Sequence, residues 1–206
     1  MKRILVLGDS TQPLWHPLSN LEPLTEELRS GYEVVETEDY PDLERKYLEP
    51  FDVCINYMDN WENRGTRKAQ DALCGYVEDG GRMLTLHTGI ITKKSRPLLV
   101  LNGGAFTGHA EAGILTYRYC GTDRTLGEGA EDFELFEEPY RYELLRPREM
   151  TLFLEYRHDG EWYPAGWHLP CGRGKVVYLA PGHDREAFRH PLYLRQIRNA
   201  LKFLGV

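Results

Sequence analysis

The chain has 206 residues, enough for one sizeable core, with 25 Lys+Arg against 32 Asp+Glu and a formal net charge of −7. That balance, with no long basic run, argues against nucleic acid or an anionic membrane surface as partner, because phosphate binding needs clustered Lys and Arg. No segment approaches the roughly 18 consecutive apolar residues of a membrane span, and the start lacks the apolar stretch of a signal peptide.

Arg3–Asp9 (RILVLGD) reads as a first parallel strand, followed by a turn-rich loop, Ser10–Pro17, that carries Trp15 and His16. Ser19 is placed to cap a helix to about Arg29, with Leu21, Leu24 and Leu28 on one face. Glu33–Glu38 is a second strand, Asp42–Tyr47 one helical turn, and Phe51–Met58 a third strand ending at Asp59-Asn60-Trp61. Thr66–Asp79 has Ala69, Ala72, Leu73, Tyr76 and Val77 on one stripe and is stopped by Gly80-Gly81. Met83–Leu86 then reads as a central buried strand that ends at His87-Thr88-Gly89. Strands alternating with helices at this spacing imply βαβ units and a parallel sheet.

The second half is less regular. Apolar Leu98–Leu101 leads into the glycine-rich run Asn102–His109, and Ile114–Cys120 looks like a strand. Gly121–Ala130 reads as a loop and acidic Asp132–Glu138 as a short helix. Leu152–His158 and Trp162–His168 flank Asp159-Gly160, a strong hairpin signal. Lys175–Ala180 is another buried strand, ending in Pro181-Gly182-His183-Asp184, and Phe188–Leu204 closes as an amphipathic helix. Without repeats or a linker, residues 1–206 read as one domain.

Cys54, Cys74, Cys120 and Cys171 are widely spaced and form no CxxC pair, so they read as reduced thiols of a cytoplasmic protein. Chemistry is expected where strand tips converge, since ligands of open α/β sheets sit at the carboxyl ends of the strands. Asp9 with Trp15 and His16, Asp59 with Trp61, His87, and His183 with Asp184 all occupy such tips or the loops after them. Of seven histidines, His16, His87, His109 and His183 lie in glycine- or proline-framed turns. Neutral imidazoles at one point can bind a divalent metal such as zinc. Alternatively, a histidine with Asp184 or Glu138 can act as acid and base on a sugar or carbonyl compound between aromatic walls. No Walker lysine, GxGxxG or GxSxG is present, so neither a nucleotide cofactor nor a serine elbow is expected.

Four pieces together carry a resemblance. They are Gly80-Gly81 with Leu86-His87-Thr88-Gly89, Asn102–His109 (NGGAFTGH), Glu138-Pro139-Tyr140, and Gly172–Tyr178 (GRGKVVY) with Gly182-His183-Asp184. In order and spacing the chain resembles the trehalose-utilisation (ThuA-like) family. The resemblance implies an α/β fold, a flavodoxin-like doubly wound, mostly parallel sheet of the class I glutamine amidotransferase-like type, with helices on both faces. The Asp159-Gly160 hairpin would be an addition to it in the C-terminal half. Amidotransferases carry a nucleophilic cysteine at the elbow; here the matching tip is His87, which argues against glutaminase activity.

The family's longer segment with a His-Pro pair is replaced here by the short Thr122–Glu131, which has no histidine. Residues His87, His183, Asp184, Glu138 and Tyr140 are the expected catalytic set. Trp15, His16, Asp59, Trp61 and Phe106 are expected to bind substrate, and His87, His109 and His183 to hold a metal. The implied function is a sugar-processing enzyme of disaccharide catabolism, with a small carbohydrate as partner and homo-oligomerisation plausible for the fold. A non-catalytic sugar-binding protein is the alternative.

Overall fold

The computed structural model describes residues 1–9, 15–38, 43–58, 66–92 and 95–206. In chain order its elements are β1 (Arg3–Leu7), α1 (Glu22–Leu28), β2 (Glu33–Thr37), α2 (Arg45–Leu48), β3 (Val53–Asn56), α3 (Arg67–Glu78), β4 (Arg82–Leu86), α4 (Arg96–Asn102) and β5 (Gly104–His109). They continue with β6 (Gly113–Tyr119), β7 (Phe133–Glu137), β8 (Tyr140–Leu144), β9 (Thr151–His158), β10 (Glu161–Cys171), β11 (Gly174–Leu179) and α5 (Pro191–Leu204).

Nine strands form one sheet in the order β2-β1-β3-β4-β11-β10-β9-β6-β7. The first five are parallel neighbours, and their order has the 2-1-3-4-5 pattern of flavodoxin-like sheets. From β10 onward every pairing is antiparallel, and β5 with β8 makes a separate two-stranded ladder. Strands β3 and β4 are buried on both faces, as expected where helices cover both sides of a parallel sheet. The helix α3 begins where Thr66 accepts a hydrogen bond from the Ala69 N–H, and Gly80, at φ 115°, follows its end.

Asp159 and Gly160 both adopt positive φ, 51° and 83°, the pair of left-handed residues that a two-residue type I′ hairpin needs. They join β9 to β10 as the dipeptide implies. Two local expectations are corrected. Asp132–Glu138 contains strand β7, not a helix: Phe133, Leu135 and Glu137 are buried while Glu134 and Phe136 are exposed. This alternation with period two overrides the acidic composition. Nor does Ser19 cap a helix: a 3-10 turn spans Leu18–Leu21, and α1 starts at Glu22 with no side-chain cap. No helix among the described residues is long and apolar enough to cross a membrane.

Candidate functional site

Strand β4 delivers His87 to its carboxyl end, where a 3-10 turn, His87–Ile90, begins at once. His87 has φ 40°, a left-handed conformation that costs a non-glycine residue about 1–3 kcal/mol and is held only where the surroundings enforce it. Enforcement comes from β3: the Asn56 side-chain amide donates to the Gly89 carbonyl at 3.0 Å. A Cβ at Gly89 would lie 2.3 Å from the Asn56 carbonyl oxygen, so only glycine lets the turn sit this close.

The neighbouring tip, after β11, is fixed more heavily still. Between Ala180 and His183 each main-chain carbonyl receives a side-chain donor from a different part of the chain. His87 Nδ1–H donates to Ala180 at 2.7 Å, the Tyr193 hydroxyl to Pro181 at 2.6 Å, the Tyr57 hydroxyl to Gly182 at 2.6 Å and the Asn20 amide to His183 at 3.3 Å. The Glu137 carboxyl, fully buried, accepts from Gly182 N–H at 2.7 Å and from His183 N–H at 3.1 Å.

On these supports four side chains converge. The Leu18 N–H donates to the Asp9 carbonyl at 2.9 Å and folds the segment bearing His16 over the end of β1. His16 Nε2 then lies 3.1 Å from His87 Nε2 and 3.2 Å from His183 Nδ1. Oε2 of Glu138, in the link between β7 and β8, is 3.8 Å from His16 Nε2, 3.6 Å from His87 Nε2 and 3.4 Å from His183 Nδ1.

Tetrahedral zinc bound at 2.0–2.1 Å has ligand atoms about 3.3 Å apart; the five separations above bracket that value, and all four atoms lie within 4.8 Å of one another, around a point that a cation could occupy. The ring tautomers agree. A carbonyl only accepts, so His87 carries its proton on Nδ1 and presents a bare Nε2 to the cluster. The one N–H available on His16 Nε2 can serve one of its two imidazole neighbours, whereas one cation serves all three. His16, His87, Glu138 and His183 can therefore hold a metal ion.

Electrostatics follow from burial and this crowding. Desolvation, with His16 acting in the same direction, pushes His87 down to about 3, so it stays a neutral ligand-type imidazole. Burial acts to raise Glu138, but the imidazoles of His16, His183 and His87 crowded around it outweigh that and hold the carboxyl well below the usual carboxylate range. Glu138 in turn raises His183, against burial. Burial pushes Glu137 up to about 8, although the Gly182 and His183 N–H groups oppose the shift.

A pocket of about 290 Å³ opens onto the cluster, lined by Trp15, His16, His109, Glu138 and Tyr140. Tyr140, nearly fully buried, stacks on His87 at 4.3 Å between ring centroids and meets Phe106 on a further side at 4.4 Å. The antiparallel register sets His109 opposite Tyr140, and a bulge between Phe106 and Gly108 re-aims it. His109 Nδ1–H donates to the Ala110 carbonyl at 2.8 Å, which leaves Nε2 facing Glu138 Oε1 at 3.6 Å.

The group that could hold a metal differs from the expected His87, His109 and His183: it comprises His16, His87, Glu138 and His183, while His109 lines the pocket wall. Asp184 also lies outside the group; its carboxylate accepts from the Glu186 and Ala187 N–H groups, a capping use. Asp59 and Trp61 fall outside the described residues. Phe106 backs Tyr140 and is not part of the pocket lining. Sequence reasoning missed Glu137, and the signal was there: it is the third inward position of the Phe133/Leu135/Glu137 alternation.

The sequence model of the ThuA family, described as trehalose utilisation, matches residues 4–204. The chain belongs to the ThuA family. Among solved structures, a protein described as ThuA-like from Bacteroides uniformis ATCC 8492 superposes with TM-score 0.81 at 16% identity, covering 98% of this chain and 91% of its own. A second ThuA-like protein, from Parabacteroides merdae ATCC 43184, gives TM-score 0.77 at 13% identity over 100% of this chain and 90% of its own. The cytoplasmic protein STM1381 from Salmonella typhimurium LT2 gives 0.74 at 13% identity, covering 98% and 99%. At these identities the likeness shows the ThuA-like fold alone. Comparison with curated proteins returns no match.

Proposed function

We propose that this ThuA-family protein is a metal-dependent enzyme of carbohydrate utilisation that acts on a sugar or oxidised sugar in the pocket above His16, His87, His183 and Glu138. The observation that carries the reading is the convergence of three imidazole nitrogens and one carboxylate oxygen at ligand-like separations. A divalent cation held there supplies Lewis-acid polarisation of a substrate oxygen, or a bound water of lowered pKa.

The chain's own groups divide the remaining work. Trp15, exposed at 78% yet lining the pocket, offers an indole face to the apolar C–H face of a sugar ring. Tyr140 forms the opposite aromatic element and clamps His87 in its strained conformation. His109, its tautomer set by the Ala110 carbonyl, presents a bare Nε2 to the pocket, where a general base belongs. The pocket volume of about 290 Å³ lies at the lower end of small-molecule sites, a size for a mono- or disaccharide. The cytoplasmic description of one Salmonella neighbour supports a cytoplasmic setting.

The second reading keeps the same crevice as a non-catalytic sugar-binding or regulatory site, which the exposed Trp15 alone would favour. Thermal shift of zinc-loaded protein against a disaccharide panel, followed by a consumption assay on each hit, separates them. Binding with turnover that Glu138→Gln and His109→Ala both abolish supports the enzyme. Binding without turnover supports the alternative.

A further inference from the structure

Glu137 sits immediately before the cluster residue Glu138, yet it plays no part in the pocket and is completely buried. Consecutive residues at the end of a strand face opposite ways, so the two acids flank the histidines from two sides: Glu138 from the pocket, Glu137 from behind. Glu137 Oε2 lies 3.9 Å from His87 Nδ1, beside the Ala180 carbonyl that already fixes that ring. Its Oε1 accepts from Gly182 N–H at 2.7 Å and lies 3.2 Å from His183 N, whose closest approach is 3.1 Å to Oε2. One side chain thereby grips the backbone of a cluster histidine and the turn whose carbonyl orients another.

Burying a carboxyl is costly unless its hydrogen bonds are made. A chain seeking stability alone would continue the apolar alternation of Phe133 and Leu135 at this position. The Gly182 N–H needs an acceptor because Gly182, at φ 131°, is turned out of the sheet ladder, and a Cβ there would meet Phe188 at 2.8 Å and His87 at 3.1 Å.

We propose that Glu137 is a positioning residue for the metal centre: by accepting the Gly182 and His183 N–H groups it sets the placement of the His183 and His87 rings, and so the affinity and geometry of the bound ion. The inference rests on the metal reading above and deepens it. Outer groups that orient metal ligands typically cost 10–100-fold in affinity when removed.

The test uses Co²⁺ as a spectroscopic probe and Zn²⁺ in competition, on the full chain, with near-ultraviolet circular dichroism as the folding check. Glu137→Ala, which removes both acceptor oxygens, is expected to bind Co²⁺ at least about tenfold more weakly and with an altered visible spectrum. Glu137→Gln keeps an acceptor oxygen for the shared N–H groups and is expected to retain most of the affinity and the wild-type spectrum. Should Glu137→Ala not fold, Glu137→Asp, which withdraws the carboxyl by one methylene, carries the test with the same expected weakening. A lowered melting temperature with unchanged affinity and spectrum would reduce Glu137 to a stabiliser and overturn the inference. Equal losses in Glu137→Ala and Glu137→Gln would overturn it too, by making charge and not hydrogen bonding responsible. A wild type that binds neither Co²⁺ nor Zn²⁺ would overturn the metal reading and this inference together.

Discussion

Replacing Gly89 by alanine probes how tightly the His87 turn is seated. The added Cβ would lie 2.3 Å from the Asn56 carbonyl oxygen, 2.9 Å from Thr85 Cγ2 and 3.0 Å from the Asn56 carbonyl carbon. To restore an ordinary contact of about 3.4 Å, the turn and β3 must separate by roughly 1 Å. β3 cannot yield, because Val53–Asn56 is paired to β1 on one side and β4 on the other and is buried throughout. The turn must move instead, and the Asn56 amide bond to the Gly89 carbonyl, 3.0 Å in the wild type, is stretched or lost. Overpacking of this kind costs about 1–3 kcal/mol, and a buried hydrogen bond adds about 1 kcal/mol. About 3 kcal/mol in total corresponds to a fall in Tm of roughly 6–12 °C for a chain of this size. Urea unfolding is the assay, with an unchanged m-value as the sign that only stability has moved. The same displacement carries His87 away from His16, so metal affinity should fall with stability. A Gly89→Ala protein within about 0.5 kcal/mol of wild type, the range of an ordinary surface change, would refute the close seating of the turn.

Other outcomes follow from single features. Gly160→Ala meets no atom within 4 Å but must hold φ 83°, so its cost should be purely conformational, about 1 kcal/mol, with Gly160→Asn milder; urea melts of both check this. Of the four thiols, exposed Cys120 should react first with a disulfide reagent in native protein, whereas Cys54, fully buried and pushed far up by desolvation, should react only on unfolding. A ligating imidazole must be neutral, and His183, raised by Glu138, takes up a proton that competes with the ion as pH falls, whereas His87, held down at about 3, stays neutral. Added zinc should therefore raise Tm at pH 8 and lose most of that effect at pH 5.

Much of the framework was legible because each parallel strand is an unbroken apolar run closed by turn residues, as in Met83–Leu86 before His87. The Asp159-Gly160 turn was equally readable, since its residue types match its backbone angles. Strand β7 was hidden by chemistry: its third inward position is Glu137, and a buried acid disguises a period-two pattern as a charged segment. The composition of the cluster was hidden by distance along the chain. His16 lies 71 residues from His87 and 167 from His183, and only the strand order brings β1, β4 and β11 to one end. The glycine-rich run around His109 looked like the better ligand site. Its ladder with β8 instead turns that ring to the outer side of Glu138.

The central claim is that His16, His87, His183 and Glu138 hold one divalent ion. Elemental analysis of protein purified without a metal-affinity tag, loaded with zinc and dialysed, tests it most directly. Wild type should retain one ion per chain, and a His16→Ala/His87→Ala/His183→Ala triple variant that remains folded should retain none. A wild type that emerges as metal-free as the triple variant would contradict it.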